Sequence, residues 1–392
     1  MPGIVVRPRS RIFHGHDWVY ASEIQKTFGD PDPGDVITLK DFKDRPLGSA
    51  IYNPESQIVA RRISRRAQQL NPDFFARRLQ RALQLRQSLP GIDEELCRLA
   101  WSEADGLPGI IVDRYGDHLV LQTLTLAMDQ RKDMITEALV DLLKPASITE
   151  RNDAPIRKAE GLELKVGTLH GKTPSSFPVD IGDLGISLSA GLGEGHKTGL
   201  YLDQLDNYGA VASLAKDRRV LDAFCNQGGF ALACAKAGAV SVKAIDIGED
   251  AITRAKENAE LCGADVEFLC GNAFDLLKAE DSAKTEYDLI ILDPPSFTRN
   301  KKSLNEALRG YHEIHLRALK MLRPGGILAT YACSYHVTWQ IFLDMINRAS
   351  IDSKRTLRTV ARHSQRADHP TIATLPETEY LKGFVFEVIP AW

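Results

Sequence analysis

Two short segments of this 392-residue chain hold side chains whose types and spacing suit them for chemistry. In the first, Asp293 is followed by Pro294, Pro295, Ser296 and Phe297. Each proline fixes its own φ and restricts the residue before it, so the Asp293 carboxylate is carried on a stiff turn. An acid held that way can accept or share a proton at a fixed point. In the second, Cys333 opens the segment Cys333, Ser334, Tyr335, His336 after an apolar run. A lone cysteine is usually a small core side chain. At the end of a strand beside the Asp293 turn it becomes a candidate nucleophile, because a thiolate adds to electron-poor carbon. A third group lies in a loop, with Asp222, Phe224, Asn226, Gly228 and Gly229 followed by a second acid, Asp246. Glycines let backbone approach a ligand, and an acid on the next strand can accept both ribose hydroxyls of a nucleoside. The three spaced glycines of a dinucleotide fingerprint are absent, which disfavours a nicotinamide cofactor.

These residues meet only if strands and helices alternate around them, and the pattern supports that. A strand at 220–221 leads into Asp222, then a helix at 230–237, a strand at 241–245, a helix over Glu249–Cys262 and a strand at 266–269. Strands at Tyr287–Leu292 and 326–331 follow. Such alternation predicts a doubly wound parallel sheet, whose ligands bind beyond the carboxyl ends of the strands. Asp222, Asp246, Asn272, Ala273, Asp293 and Cys333 all fall at such ends. Asn272 suits either a helix cap or a reader of an adenine edge.

The front of the chain differs. Short β-like runs at 37–39, 50–52 and 58–60 suggest a small β-barrel over residues 1–70, with Phe13, Trp18 and Tyr20 suited to stack bases but read first as its core. Arg61, Arg62, Arg65 and Arg66 follow the last run, and Arg77, Arg78 and Arg81 continue the charge on a helix at 73–88. Residues 1–90 hold fifteen Lys and Arg against nine Asp and Glu, while the whole chain nets −3, which leaves −9 for the rest. A basic front on an acidic body suggests RNA-phosphate contact from the N-terminal side. Residues 71–190 read as a connecting helix and a central α+β domain, with strands at 109–112, 119–124, 147–149, 162–166 and 186–189, and residues 191–392 as a third domain with a glycine-rich hinge at 191–199. The run Arg299, Lys301, Lys302 fits phosphate contact or a solvated loop equally. The six cysteines form no C-x-x-C pair and have no histidine at zinc spacing, so no metal is expected and five are read as core side chains. No apolar run nears the ~20 residues of a membrane span, and no apolar signal core precedes the first charges, so the expectation is cytoplasmic.

Several pieces carry a resemblance. The loop D-x-F-x-x-x-G-x-F from Asp222 resembles the first motif of S-adenosylmethionine-dependent methyltransferases. W-V-Y at Trp18, S-E-A-D-G-L-P-G at Ser102, E-R-N-D at Glu150, H-K-T-G-L-Y-L-D-Q at His196, D-P-P-S-F at Asp293, A-C-S-Y-H-V at Ala332 and P-E-T-E-Y-L-K-G at Pro376 resemble bacterial 23S rRNA cytosine methyltransferases with an N-terminal PUA domain. The resemblance covers nearly the whole chain. It implies a PUA barrel, a central α+β domain and a C-terminal class I, Rossmann-like methyltransferase domain, with a homodimer as the expected assembly. It implies Cys333 as nucleophile and Asp293 as its acid partner, with S-adenosylmethionine held by Asp222, Phe224, Asn226, Gly228, Asp246, Asn272, Ala273 and Asp293. RNA would be held by Arg61, Arg62, Arg65, Arg66, Lys301 and Lys302. Related cytosine enzymes outside the family carry a second cysteine after the motif's proline, where this chain has Ser296. Two other readings stay open: methylation of a nitrogen on an rRNA purine through D-P-P-S-F, and a non-catalytic rRNA-binding assembly factor.

Overall fold

The structure, a computed structural model, describes residues 1–192, 199–298 and 301–390, the side chain of Lys301 excepted. The proposed hinge at 191–199 therefore falls largely outside the described residues. The chain forms two compact units. One comprises Met1–Phe177, Ala190–Leu202 and Ala367–Thr378, and the other Pro178–Ser189, Asp203–Arg366 and Glu379–Trp392.

In the first unit, six strands build one sheet in the order Trp18–Val19, Ala60–Ser64, Pro46–Tyr52, Val36–Lys40, Gly3–Val6, Ile24–Phe28. Alternate residues such as Ile4 and Val6, or Ile37 and Leu39, are fully buried on its inner face, as the period-2 geometry of a strand requires. The strand expected to end at Ala60 instead runs on through Arg61 and Arg62. Both arginines are neutralised there, Arg61 donating to Glu103 Oε1 at 2.7 Å and Arg62 to Asp17 Oδ1 at 2.8 Å. Phe13 is not a core residue; it is 38% exposed and meets Phe42 edge-on. Trp18 and Tyr20 are half-buried beneath the guanidinium groups of Arg61 and Arg11.

A second sheet in this unit orders its strands Lys165–Gly171, Ser147–Asn152, His118–Thr123, Ile110–Tyr115, Leu96–Trp101. The strand expected at 162–166 begins only at Lys165, and the apolar residues that suggested it, Leu164 and Val166, are exposed. The helix Pro72–Ser88 starts where Asn71 accepts a hydrogen bond from Phe74 N at 2.9 Å and Pro72 fits the first turn. Its Phe74, Phe75, Leu79 and Leu83 pack with Ile135 and Leu139 of the helix Lys132–Leu143. Val36, Ile51 and Ile63 of the first sheet belong to this same core, so residues 1–70 cannot be removed without opening it. The fully buried Arg86 donates to Asp105 Oδ1 at 2.6 Å and to the Asp368 carbonyl at 2.7 Å, and Arg98 N donates to Asp368 Oδ2 at 2.9 Å.

The second unit is built on seven strands: β1 Arg219–Ala223, β2 Ser241–Asp246, β3 Glu267–Cys270, β4 Tyr287–Leu292, β5 Leu322–Ala332, β6 Thr356–Ser364 and β7 Lys382–Ile389. Its helices are α1 Leu205–Ala212, α2 Gly229–Lys236, α3 Glu249–Cys262, α4 Ala273–Ser282, α5 Leu304–Met321 and α6 Trp339–Ser353. The sheet order is β3-β2-β1-β4-β5-β7-β6. β1 to β5 pair in parallel, but β7 runs antiparallel to both β5 and β6, so the sheet is mixed where the sequence suggested a parallel one. β5 begins four residues before the expected strand, because Pro324, Gly325 and Gly326 lie within it, with a register shift opposite and Gly325 at φ +80°. Of the five cysteines read as core, Cys97, Cys225 and Cys234 are buried; Cys262 is half-buried at the end of α3, and Cys270 is exposed at the end of edge strand β3. Among the described residues no cluster could hold a metal ion, and no helix is long and apolar enough to cross a membrane.

Candidate active site

The first side of the site is the turn between β1 and α2. Phe224, Asn226 and Gly228 all take left-handed backbone, at φ +73°, +48° and +87°. For the two non-glycine residues this costs roughly 1–2 kcal/mol each, so something must hold the turn. Phe224 N and Cys225 N both donate to the Ile245 carbonyl at 2.8 Å, and Asn226 N donates to Asp246 Oδ2 at 2.8 Å. Asp246 Oδ1 accepts from Gly248 N at 2.9 Å. Each Asp246 oxygen thus takes one backbone hydrogen bond and keeps acceptor capacity for ribose hydroxyls.

Asp222 is fully buried beneath this turn, its Oδ2 accepting from Ala231 N at 3.0 Å while its Oδ1 has no hydrogen-bond partner. Burial holds its carboxyl well above the usual range, with Asp293 and Asp246 pushing the same way and the Ala231 N–H opposing them. Neither Asp222 nor Asp246 has a Lys or Arg partner among the described residues. Acidic groups left this way suit a ligand that brings positive charge, as a sulfonium with an α-ammonium group does. The residues therefore fit S-adenosylmethionine. Gly229 serves another purpose than close approach to a ligand: a Cβ there would lie 2.4 Å from the Tyr208 ring. Asn272 caps α4, accepting from Phe274 N at 2.9 Å, and Ala273 is buried in the first turn.

The second side lies at the ends of β4 and β5. Leu292 is level with Thr330, so Asp293 leaves β4 beside Tyr331 and Cys333 follows two residues further, just past the end of β5. Asp293 Oδ2 accepts from Gln204 Nε2 at 2.9 Å. The Gln204 amide is oriented in turn by Asn207, whose Nδ2 donates to Gln204 Oε1 at 2.6 Å and to the Ser364 carbonyl at 3.1 Å. With its oxygen spent on Asn207, the buried Gln204 presents its NH2 to the carboxylate. Phe297, beyond the two prolines, packs its ring against Tyr311 at 4.6 Å and against Phe224 and Phe274, tying the D-P-P-S-F turn to the cofactor turn. Tyr311, on α5, is fully buried; burial pushes its phenol far up, and Cys333 and Asp293 add to the shift.

Cys333 is half-buried. Burial raises the Cys225 thiol well above its ordinary value, reinforced by Asp222 and Asp246, and raises Cys97 to about 12. Beside Cys333, Lys382 pairs in register with Ala332, is only 3% exposed, and donates its Nζ to the Ser334 carbonyl at 2.7 Å. Burial pulls its ammonium down to about 8, against the opposing influence of Glu379 and Cys333. Gln204, Tyr311 and Lys382 were not singled out from the sequence. Gln204 does close the segment H-K-T-G-L-Y-L-D-Q, and Lys382 is the penultimate residue of P-E-T-E-Y-L-K-G, which offered the only local signal.

The arginine group divides. Arg61 and Arg62 are spent on Glu103 and Asp17 and are withdrawn from solvent, so they do not offer free charge to RNA. Arg65 and Arg66 are exposed beyond the strand. Arg65, Arg78 and Arg81 line a cleft of about 450 Å³ whose other wall includes Glu103 and Asp105. Burial, then the like charges of Arg81 and Arg77, lowers the Arg78 guanidinium, as expected where cations crowd. Lys302 is exposed; Arg299 and the Lys301 side chain lie outside the described residues.

Comparison with known proteins agrees with this geometry. Residues 169–379 match the model of the S-adenosylmethionine-dependent methyltransferase family, and residues 7–65 that of a PUA-like domain. The chain is 39% identical over 380 residues to ribosomal RNA large subunit methyltransferase I of Vibrio cholerae, covering 95% of this chain and 96% of that protein. It is 38% identical over 379 residues to the protein of the same name from Tolumonas auensis, with the same coverage. In fold it is similar to a SAM-dependent methyltransferase from Streptococcus mutans, with a TM-score of 0.84 at 21% identity over 99% of this chain and 100% of that one. A methyltransferase solved in complex with SAH aligns with a TM-score of 0.85 at 22% identity over the same shares. With a Rossmann-like sheet, a turn fitted to the cofactor and full-length relatives of one name, the chain belongs to the S-adenosylmethionine-dependent methyltransferases, in the family of ribosomal RNA large subunit methyltransferase I.

Proposed function

We propose that the protein methylates carbon 5 of a cytosine in 23S rRNA, with Cys333 as nucleophile and Asp293 as the acid that engages the base. The observation that carries this reading is the half-buried thiol two residues past the level of Asp293, on the neighbouring strand end. Carbon 5 of cytosine is a poor nucleophile until carbon 6 is attacked. The Cys333 thiolate forms the bond to carbon 6, and the ring's π electrons move toward nitrogen 3, where Asp293 shares a proton. Asp222, Phe224, Asn226, Gly228 and Asp246 would hold S-adenosylmethionine, which would supply the methyl group for carbon 5 and leave as the neutral thioether S-adenosylhomocysteine. Loss of the carbon 5 proton to solvent expels the thiolate, and return of the nitrogen 3 proton to Asp293 restores the neutral aromatic base. The target cytosine must leave its stack to reach the site, at a cost of a few kcal/mol. The Asn272 amide nitrogen remains available to an adenine edge while its oxygen caps α4. The reading takes residues 1–70 and 71–190 as the RNA-engaging part and 191–392 as the catalytic part of a cytoplasmic homodimer.

The test is to expose total rRNA from a strain lacking this gene to the protein and labelled cofactor, then identify the methylated nucleoside by mass spectrometry. 5-Methylcytidine supports the proposal. A methylated purine nitrogen overturns it in favour of base capture by D-P-P-S-F alone.

Asp246→Ala should weaken cofactor binding by ~1.5–3 kcal/mol, because hydrogen bonds to a charged carboxylate are removed, with RNA affinity nearly unchanged. Equal cofactor affinity by calorimetry would remove Asp246 from the ribose. For RNA, the free charge to test is Arg65, Arg78 and Arg81, to which Arg66 and Lys302 are secondary. Replacing the three by Gln should lower the log–log salt slope of RNA binding by roughly 0.7–0.9 for each phosphate no longer neutralised. An unchanged slope would assign the cleft to packing.

A further inference from the structure

Lys382 is a buried cation whose partners account for little of its charge. Its Nζ has three protons to donate and makes one hydrogen bond, to the Ser334 carbonyl at 2.7 Å, and no carboxylate lies within ion-pair distance of it among the described residues. Removing an ammonium group from water without a counter-charge costs several kcal/mol, so such a lysine either becomes neutral or sits beside an anion. The strand register shows what lies beside it. Lys382 is opposite Ala332, the residue before Cys333, and its ammonium reaches the carbonyl of the residue after Cys333. The lysine therefore brackets the thiol along the backbone. Resting on the nucleophile reading above, we propose that Lys382 is the positioning residue for Cys333, holding the sulfur as a thiolate by serving as its counter-ion.

The proton balance is simple. The Cys333 thiol releases its proton to solvent, Lys382 keeps its own, and a neutral thiol next to a cation becomes an ion pair. The other titratable groups around the pair do not supply that charge. Glu379, in the segment before β7, acts on Lys382 from a distance and accepts a hydrogen bond from Trp339 Nε1 at 3.1 Å. Tyr311, from α5, keeps its proton, and Asp293 beyond β4 is an acid, which supplies no positive charge. His363 on β6, level with Gly383, shares a hydrogen bond with the Tyr331 hydroxyl at 2.8 Å, and burial lowers its pKa toward the neutral ring. His336 lies on the same loop as Cys333. Lys382 is thus the cation that the fold places beside the Cys333 backbone, and burial lowers its own value only to about 8.

The experiment titrates Cys333 directly. The full-length protein, without RNA, is alkylated by iodoacetamide from pH 5 to 10, and the Cys333 peptide is followed by mass spectrometry, which separates it from the exposed Cys270. Lys382→Met and Lys382→Gln should move the Cys333 alkylation profile upward by about one pH unit or more, which is about a tenfold lower rate at pH 7, while Lys382→Arg should recover part of it. The acid limb of the methylation pH profile should shift by the same amount, whereas a merely structural role would lower the rate equally at every pH. Cofactor affinity, measured in parallel, should stay at the parental value in both neutral variants. A Cys333 profile identical to that of the parent in either folded neutral variant overturns the proposal. The nucleophile reading fails separately: a Cys333→Ala enzyme that still methylates would leave the ion pair in place and remove its use.

Discussion

Cys333→Ala should lose methyl transfer by at least about a thousandfold and should lose, with it, every covalent complex with RNA. The side chain is half-buried and small, so its truncation to alanine removes the sulfur without opening a large cavity, and cofactor binding at the β1–α2 turn should be untouched. RNA carrying 5-fluorocytidine at the target separates carbon from nitrogen chemistry. After methyl transfer, fluorine cannot leave carbon 5 as a proton would, so the Cys333 sulfur stays bonded to carbon 6 and the complex survives a denaturing gel. The parental enzyme should give that band and Cys333→Ala should not. On the proposed mechanism the reactive species is the thiolate, so parental activity should rise with pH up to the thiolate pKa and then level off. A variant that methylates at near the parental rate would end the nucleophile assignment.

Asp293→Asn should lower turnover by about a hundredfold or more, the range for losing a positioned acid or base, with cofactor and RNA binding changed by no more than a few-fold. The substitution is chosen for what it preserves. An asparagine oxygen can still accept from Gln204 Nε2, so the Asn207–Gln204 chain keeps its geometry while the ability to share a proton with nitrogen 3 is lost. Asp293→Ala removes both. If the two variants are equally impaired, the proton is the contribution of Asp293; if Asp293→Asn is near parental, the carboxylate acts only as an acceptor and the proton at nitrogen 3 is handled elsewhere.

Much of the catalytic unit could be read from local pattern because local physics decided it. α3 runs over Glu249–Cys262 as expected, with Gly263 at φ +60° ending it, and β4 is a short apolar stretch stopped by two prolines. The acids at strand ends followed from topology. The arginines misled because charge in a sequence does not reveal whether an acid waits for it: Asp17 and Glu103 lie far from Arg62 and Arg61 along the chain. β6 was hidden by its edge position, where exposed residues such as Arg358 and Thr359 break the apolar pattern. Gln204 and Lys382 were hidden for a related reason. Each meets its site only through partners distant in sequence, Gln204 with Asp293 and Lys382 with Ser334, and nothing in their immediate neighbours announces a buried polar role.

The antiparallel strand β7 also constrains the order in which the enzyme can be assembled. It sits between β5 and β6, yet residues 382–389 leave the ribosome after every other strand of that sheet. Until they emerge, β5 has no neighbour on that side, β6 has no partner, and Cys333 has no lysine beside it. The first unit waits as well, since buried Arg86 takes a hydrogen-bond partner from Asp368. A nascent chain that has already made the complete β1–α2 turn is therefore still without a finished sheet around Cys333, and methyl-transfer competence should appear only when synthesis has passed β7.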